Sequence, residues 1–229
     1  SGWEDAVRDY IRAEAAPYAD ELIVDPLGCV LVFRKGRKTP AKPVLLAAHM
    51  DEVGFIVMGA TDDGMLRIRP VGGIDPRVCV SKYVVVGEKK IKGVIGAMAI
   101  HLQSAADRQK VLGWDELYID IGAKSKDEAL ADCPEACYAY FDSRFEKFGE
   151  GCAVSKALDD RVGCYNLLRV LNETVQNDVT CAFVVKEEVG CRGALGAAFN
   201  ARCDAALVLE GTAAGDMGDA PETRQVCRV

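Results

Sequence analysis

No apolar run in this sequence approaches the length of a membrane span, so the expectation is a soluble protein with no membrane partner. A basic stripe is missing as well. The net charge is −7, and nowhere do aromatic residues interleave with lysine and arginine, which argues against nucleic acid as a partner. The opening residues are not expected to be a secretory leader. SGWEDAVRDYIRAEA reads instead as a helix start, with Ser1 as its cap and Val7, Tyr10 and Ile11 at helical spacing. A chain that opens on a cap is expected to lack its true N-terminus. Repeats and low-complexity segments are absent. Cysteine is plentiful, at ten residues, yet no C-x-x-C pair occurs. Cys133 and Cys137 have no second pair or histidine to complete a zinc knuckle. Cys29, Cys181 and Cys203 sit in or beside apolar runs, where a thiol behaves as a small hydrophobe. Reduced, mostly buried thiols in a cytoplasmic protein are expected.

What is present is core material. Half of the 229 residues are hydrophobic, enough for one large domain or two smaller ones. The spacing predicts a helix over 4–15 and short strands at 21–24 and 29–33 around the turn Asp25-Pro26-Leu27-Gly28. A polar loop or hairpin follows over Arg34–Pro43. Val44 to Ala48 is a continuous apolar run, the pattern of a strand covered on both faces. From about 65 the texture changes to short β-branched segments broken by glycine, with a hairpin turn at Gly87-Glu88-Lys89-Lys90 and one helix over 126–132. At SKALDDRVG the α/β texture returns: a helix opened by Asp159-Asp160, a strand over 179–185, a helix over 193–200 and a strand over 205–209. The expected division is therefore 1–64 with 154–229, interrupted by a β-rich domain over 65–153.

Three apolar strands end in a metal-competent residue: His49, Glu187-Glu188 and Glu210. A helix start adds Asp159-Asp160. Ligands of open α/β sheets gather beyond the carboxyl ends of the strands, so parallel strands would bring all of these into one crevice. Histidine with several carboxylates suits zinc, manganese or cobalt rather than calcium. Asp51, two residues after His49, lies on the same side of an extended backbone and would accept the proton of the second imidazole nitrogen. Glu187 and Glu188 cannot both point one way; one as ligand and one as general base is the economical division. Each motif has a plainer reading too. His49 and Asp51 could be a satisfied core histidine and a surface acid, Asp159-Asp160 a helix cap, and Glu187-Glu188 a solvated loop. His101, alone in AIHLQSAADRQK, reads as structural.

The segments AAHMDEVGF, VGGIDPRV, VIGAMAIHL, LYIDIGAKS, SKALDDRVG, EEVGCRGA and LEGTAAGD, in this order, resemble the M42 family of metallo-aminopeptidases, some of which carry endoglucanase names. The resemblance covers essentially the whole chain. It implies an α/β metallopeptidase sheet with flanking helices, interrupted by a smaller PDZ-like β domain that serves dimerisation or as a lid. It further implies two divalent metal ions, zinc, cobalt or manganese, acting on short peptides. His49 and Glu210 would hold one metal and Glu188 the other. Asp159 would bridge them, its peptide bond to Asp160 cis. Glu187 would be the general base and Asp51 the orienter of His49. Homo-oligomers, dodecamers in the family, are implied. The family continues past this endpoint with a Gly-Thr-Asp segment and a final histidine ligand, so a fragment or a truncated product with an impaired second metal position is expected. A deacylase or carboxypeptidase of the same clan, a two-carboxylate glycosidase and a non-catalytic assembly chain are the rival functions.

Overall fold

The opening helix and the turn behind it show how local chemistry sets the architecture. In the computed structural model, which describes residues 1–38, 42–201, 203–215, 218, 220–224 and 227, helix α1 spans Asp5–Ala15 and buries Ile11 and Ala15. Ser1 does not cap it. Glu4 takes the cap position and its carboxylate accepts the Gly2 amide, while the Ser1 amino group donates to the Glu52 carbonyl at 2.8 Å. Strands β1 (Glu21–Val24) and β2 (Val30–Arg34) form an antiparallel hairpin. Its turn is tied by Asp25, whose Oδ1 accepts the amides of Leu27, Gly28 and Cys29, each at 2.9 Å. Residues 39–41, inside the loop expected over Arg34–Pro43, lie outside the described residues. Strand β3 then runs Val44–His49.

The chain divides into two compact units, one of Glu52–Lys156 with Ser1, the other of Gly2–Asp51 with Ala157–Val229. The first begins upstream of residue 65, where the texture of the sequence changes. It takes in β4 (Gly54–Ala60), whose apolar run lines a barrel rather than a flat sheet. With β5 (Leu66–Val71), β6 (Tyr83–Val86), β7 (Ile91–Gly96), β8 (Tyr118–Asp120) and β9 (Tyr138–Phe141) it closes in the order β4-β5-β8-β7-β6-β9. Closure removes the free edges that an open sheet would leave. Phe55, Leu66, Ile68, Val84, Ile95 and Ile119 fill the interior, with Arg67 and Arg69 pointing outward in strict alternation on β5. Helix α2 (Lys126–Asp132) is capped by the Ser125 hydroxyl, which accepts the Glu128 amide at 3.2 Å. A separate hairpin pairs β10 (Glu146–Phe148) with β11 (Cys152–Val154). Glu52 pairs with Lys156 Nζ at 2.6 Å, and Lys156 lies 4.2 Å from the ring centre of Tyr140. His101 is exposed in a short 3-10 turn.

In the second unit α3 (Leu158–Asn172), β12 (Val179–Val184), α4 (Arg192–Ala201) and β13 (Ala205–Val208) complete a five-stranded mixed α/β sheet. Its order is β1-β2-β12-β3-β13. β12 is central and buried at every position, as its VTCAFV sequence requires. β3 runs parallel to both β12 and β13, so His49, the loop after β12 and the end of β13 all lie at one edge of the sheet. Leu45, Ala48, Phe183, Leu167 and Leu171 belong to the core of this unit. Among the described residues no helix is long and apolar enough to cross a membrane. The ten cysteines are free thiols; Cys164 and Cys181 are buried, and desolvation pushes both up to about 12, while Cys152, Cys191 and Cys227 are exposed.

Candidate metal centre

Strand β3 ends at His49, which is 1% exposed and fixed on all sides. Its amide donates to Asp160 Oδ2 at 3.1 Å, and its carbonyl accepts the Cys164 thiol at 3.1 Å. Ring nitrogen Nδ1 faces the backbone oxygen of Asp51 at 3.1 Å and that residue's Oδ1 at 3.6 Å. Both neighbours are acceptors, so Nδ1 carries a proton and Nε2 is the nitrogen free to coordinate.

Nε2 points into a cluster of carboxylates. Asp159 Oδ1 lies at 3.0 Å, Glu210 Oε1 at 3.4 Å and Glu187 Oε2 at 4.0 Å. Asp159 arrives from the start of α3, where it and Asp160 leave helical geometry and the peptide bond between them is cis. The two side chains face different surroundings. Asp159 joins the cluster, and Asp160 turns inward to accept the amides of His49 and Gly163, each at 3.1 Å. Glycine is required at 163, because a Cβ would stand 2.4 Å from Asp160 Oδ1, and at 211, where one would meet Asp159 Cβ at 2.9 Å. Glu210 follows β13, whose pairing extends one bond further from the Leu209 amide to the Ala47 carbonyl at 2.8 Å.

Asp51 lies where the sequence places it but does more than expected. Its carboxylate accepts the amide of Glu187 at 3.0 Å and that of Glu188 at 3.2 Å. At 3.6 Å from Nδ1 it acts on the imidazole as a charge rather than through a well-formed hydrogen bond; the backbone oxygen makes that bond instead. Asp51 therefore sets the loop after β12, and with it the entry of both glutamates. Glu188 stands outside the tight cluster of His49, Asp159 and Glu210. Burial pushes its carboxyl up, with the His49 charge opposing.

The electrostatics match this crowding. Burial pushes the His49 imidazole down, but Asp51 and Asp159 outweigh it and hold the ring up at about 10. Burial and then the adjoining Asp159 push Glu210 up to about 7. A cluster of acids that retains protons in this way gains from a cation placed among them. One atom each from His49, Asp159 and Glu210 lie within 4.8 Å of one another, and one imidazole with carboxylates is a borderline donor set. These residues fit a divalent transition-metal ion.

Three supporting contacts were not evident in the sequence. Asp160 could have been found by the argument used for the glutamates, since adjacent acids on an extended backbone face apart. Cys164 sits one helical turn beyond Asp160, and the Arg161 Nε that donates to the Met50 carbonyl at 3.3 Å lies beside it; neither carries a signal without the fold.

The family model for M42 glutamyl aminopeptidase matches residues 28–228. A putative aminopeptidase of Acetivibrio thermocellus is 36% identical over 94% of this chain and 63% of its own length. An aminopeptidase structure from the archaeon Desulfurococcus kamchatkensis superposes with a TM-score of 0.92 at 35% identity, covering all of this chain and 64% of that one. The Pyrococcus horikoshii TET1 peptidase, described as able to assemble into a tetrahedron or a large octahedral shell, matches with a TM-score of 0.82 at 35% identity over 95% of this chain and 68% of its own. The chain spans less than two thirds of the length of the curated relatives it matches.

Proposed function

We propose, given that this chain belongs to the M42 family of peptidases, that the intact protein is a metal-dependent aminopeptidase removing N-terminal residues from short peptides in the cytoplasm. The observation that carries the reading is the convergence of His49 Nε2, Asp159 Oδ1 and Glu210 Oε1, with Glu187 Oε2 at 4.0 Å from the imidazole. His49, Asp159 and Glu210 would hold one divalent ion, and Asp159 and Glu188 would contribute to a second. Such ions supply Lewis-acid polarisation of the peptide carbonyl and an acidified water.

The chain's own groups do the rest. Glu187 Oε2 takes a proton from the attacking water and returns it to the amine that leaves as the C–N bond breaks. Asp51 keeps the proton on His49 Nδ1 and sets the backbone of Glu187 and Glu188. The 52–156 barrel, with its PDZ-like character, is the module through which copies assemble, in keeping with the shells described for the TET1 relative.

Hydrolysis of a free-amine peptide and of its N-acetylated counterpart by the intact protein with Co²⁺ or Zn²⁺ tests this. Cleavage of the free peptide alone, abolished by chelator and strongly slowed by Glu187→Gln, is expected. Equal cleavage of the acetylated peptide would make the protein a deacylase. Metal binding without turnover would make it an assembly chain.

A further inference from the structure

The loop that carries Glu187 holds a thiol against it. Cys191, an exposed residue, places its Sγ 3.1 Å from Glu187 Oε1. This contact follows from how the loop is wound. Lys186 and Cys191 both adopt left-handed backbone conformations, with φ of 58° and 54°, and Gly190 has φ of 105°. The turn closes through two amides, of Gly190 and Cys191, each donating to the Glu187 carbonyl at 2.8 Å. The Glu187 amide donates to Asp51 Oδ1 at 3.0 Å. Both backbone groups of Glu187 are thus taken, and the remaining freedom lies in its side chain. That side chain has two distinct oxygens. Oε1 meets the thiol, and Oε2 faces His49 Nε2 at 4.0 Å.

We infer that Cys191 is a positioning residue for Glu187: its thiol donates to Oε1, fixes the plane of the carboxylate and leaves Oε2 turned to the ligand cluster. This rests on Glu187 serving as the general base. A long flexible side chain has several rotamers available, and a base that must meet a water within hydrogen-bond reach works in few of them. A thiol is a weak donor, so its grip is modest and its replacement graded. Serine preserves the donor with a shorter reach; alanine removes it. The contact acts on the thiol in return, since the Glu187 hydrogen bond and charge push Cys191 up from its ordinary value.

The test uses the intact protein with Cys191→Ala, Cys191→Ser, Glu187→Gln and the Cys191→Ala/Glu187→Gln double variant. Loss of one hydrogen bond predicts that Cys191→Ala lowers kcat about threefold to tenfold with KM unchanged. Cys191→Ser recovers most of the rate, and Cys191→Ala has no further effect once Glu187 is glutamine. A second readout needs no turnover: iodoacetamide alkylation of Cys191, followed by peptide mass mapping, is faster in Glu187→Gln than in wild type, because the carboxylate no longer holds the thiol protonated. Wild-type kcat in Cys191→Ala overturns the inference, as does an alkylation rate of Cys191 that ignores Glu187→Gln. If the wild-type protein cleaves no peptide, the aminopeptidase reading falls, and the alkylation ratio alone decides whether the thiol and carboxylate engage.

Discussion

Replacing Asp51 by asparagine separates the loop-setting role of its carboxylate from mere occupancy of space. The buried carboxylate accepts two amides, from Glu187 at 3.0 Å and Glu188 at 3.2 Å, and lies 3.6 Å from His49 Nδ1. Asparagine keeps one oxygen and turns an NH₂ group toward the second amide, so one backbone donor loses its acceptor and faces another donor. Leaving a buried donor unpaired costs about 1–3 kcal/mol. The imidazole also loses the nearest buried negative charge that supports its Nδ1 proton. Mutation of groups that hold a metal ligand in place commonly costs about 10–100-fold in metal affinity or activity, equivalent to about 1.4–2.8 kcal/mol, which agrees with the hydrogen-bond figure. Calorimetric titration of the metal-free intact protein with Zn²⁺, wild type against Asp51→Asn, reads this directly. Thermal unfolding alongside checks that the variant folds. A folded Asp51→Asn protein that binds zinc within about twofold of wild type and keeps its kcat would refute the role assigned to Asp51.

Three further outcomes are expected. Glu187→Gln keeps the fold and metal affinity yet lowers kcat by about 10²–10⁴-fold, because only proton transfer is removed; steady-state kinetics with parallel metal titration checks it. Gly163→Ala drives a methyl group to within 2.4 Å of Asp160 Oδ1, in the carboxylate that anchors the His49 amide, and destabilises the chain by about 1–3 kcal/mol, read as a lower melting temperature. Metal loading requires neutral His49 and ionised Glu210, which without metal are held up at about 10 and about 7, so binding displaces protons. Apparent zinc affinity therefore climbs with pH up to about 10, more steeply below about 7 where both groups hold protons, and calorimetry in buffers of different ionisation heat shows proton release; an affinity flat in pH contradicts it.

The parts of the site that were legible in the sequence are those encoded by local contrast. VLLAAH and VTCAFV are unbroken apolar runs, their burial on both faces leaves little but a strand to form, and the polar residue that ends each run marks a strand end. Glu187, Glu188 and Glu210 could be grouped with His49 because parallel strands share one carboxyl edge. What stayed hidden depends on long-range placement. Whether Asp51 meets the imidazole through its side chain or its backbone is decided by a loop more than a hundred residues away. The Cys191 contact depends on a left-handed turn at a residue that carries no turn signal. The start of the barrel was hidden for another reason: β4 is as apolar as β3, and period alone does not distinguish a barrel wall from a sheet interior.

The central claim is that His49, Asp159 and Glu210 form a metal-binding centre. Anomalous diffraction at the zinc edge from zinc-loaded crystals of the intact protein tests it most directly. The account predicts a peak about 2 Å from His49 Nε2, with carboxylate oxygens of Asp159 and Glu210 at similar range. Zinc bound elsewhere, with His49 Nε2 still paired to Asp159 and no metal between them, would contradict it.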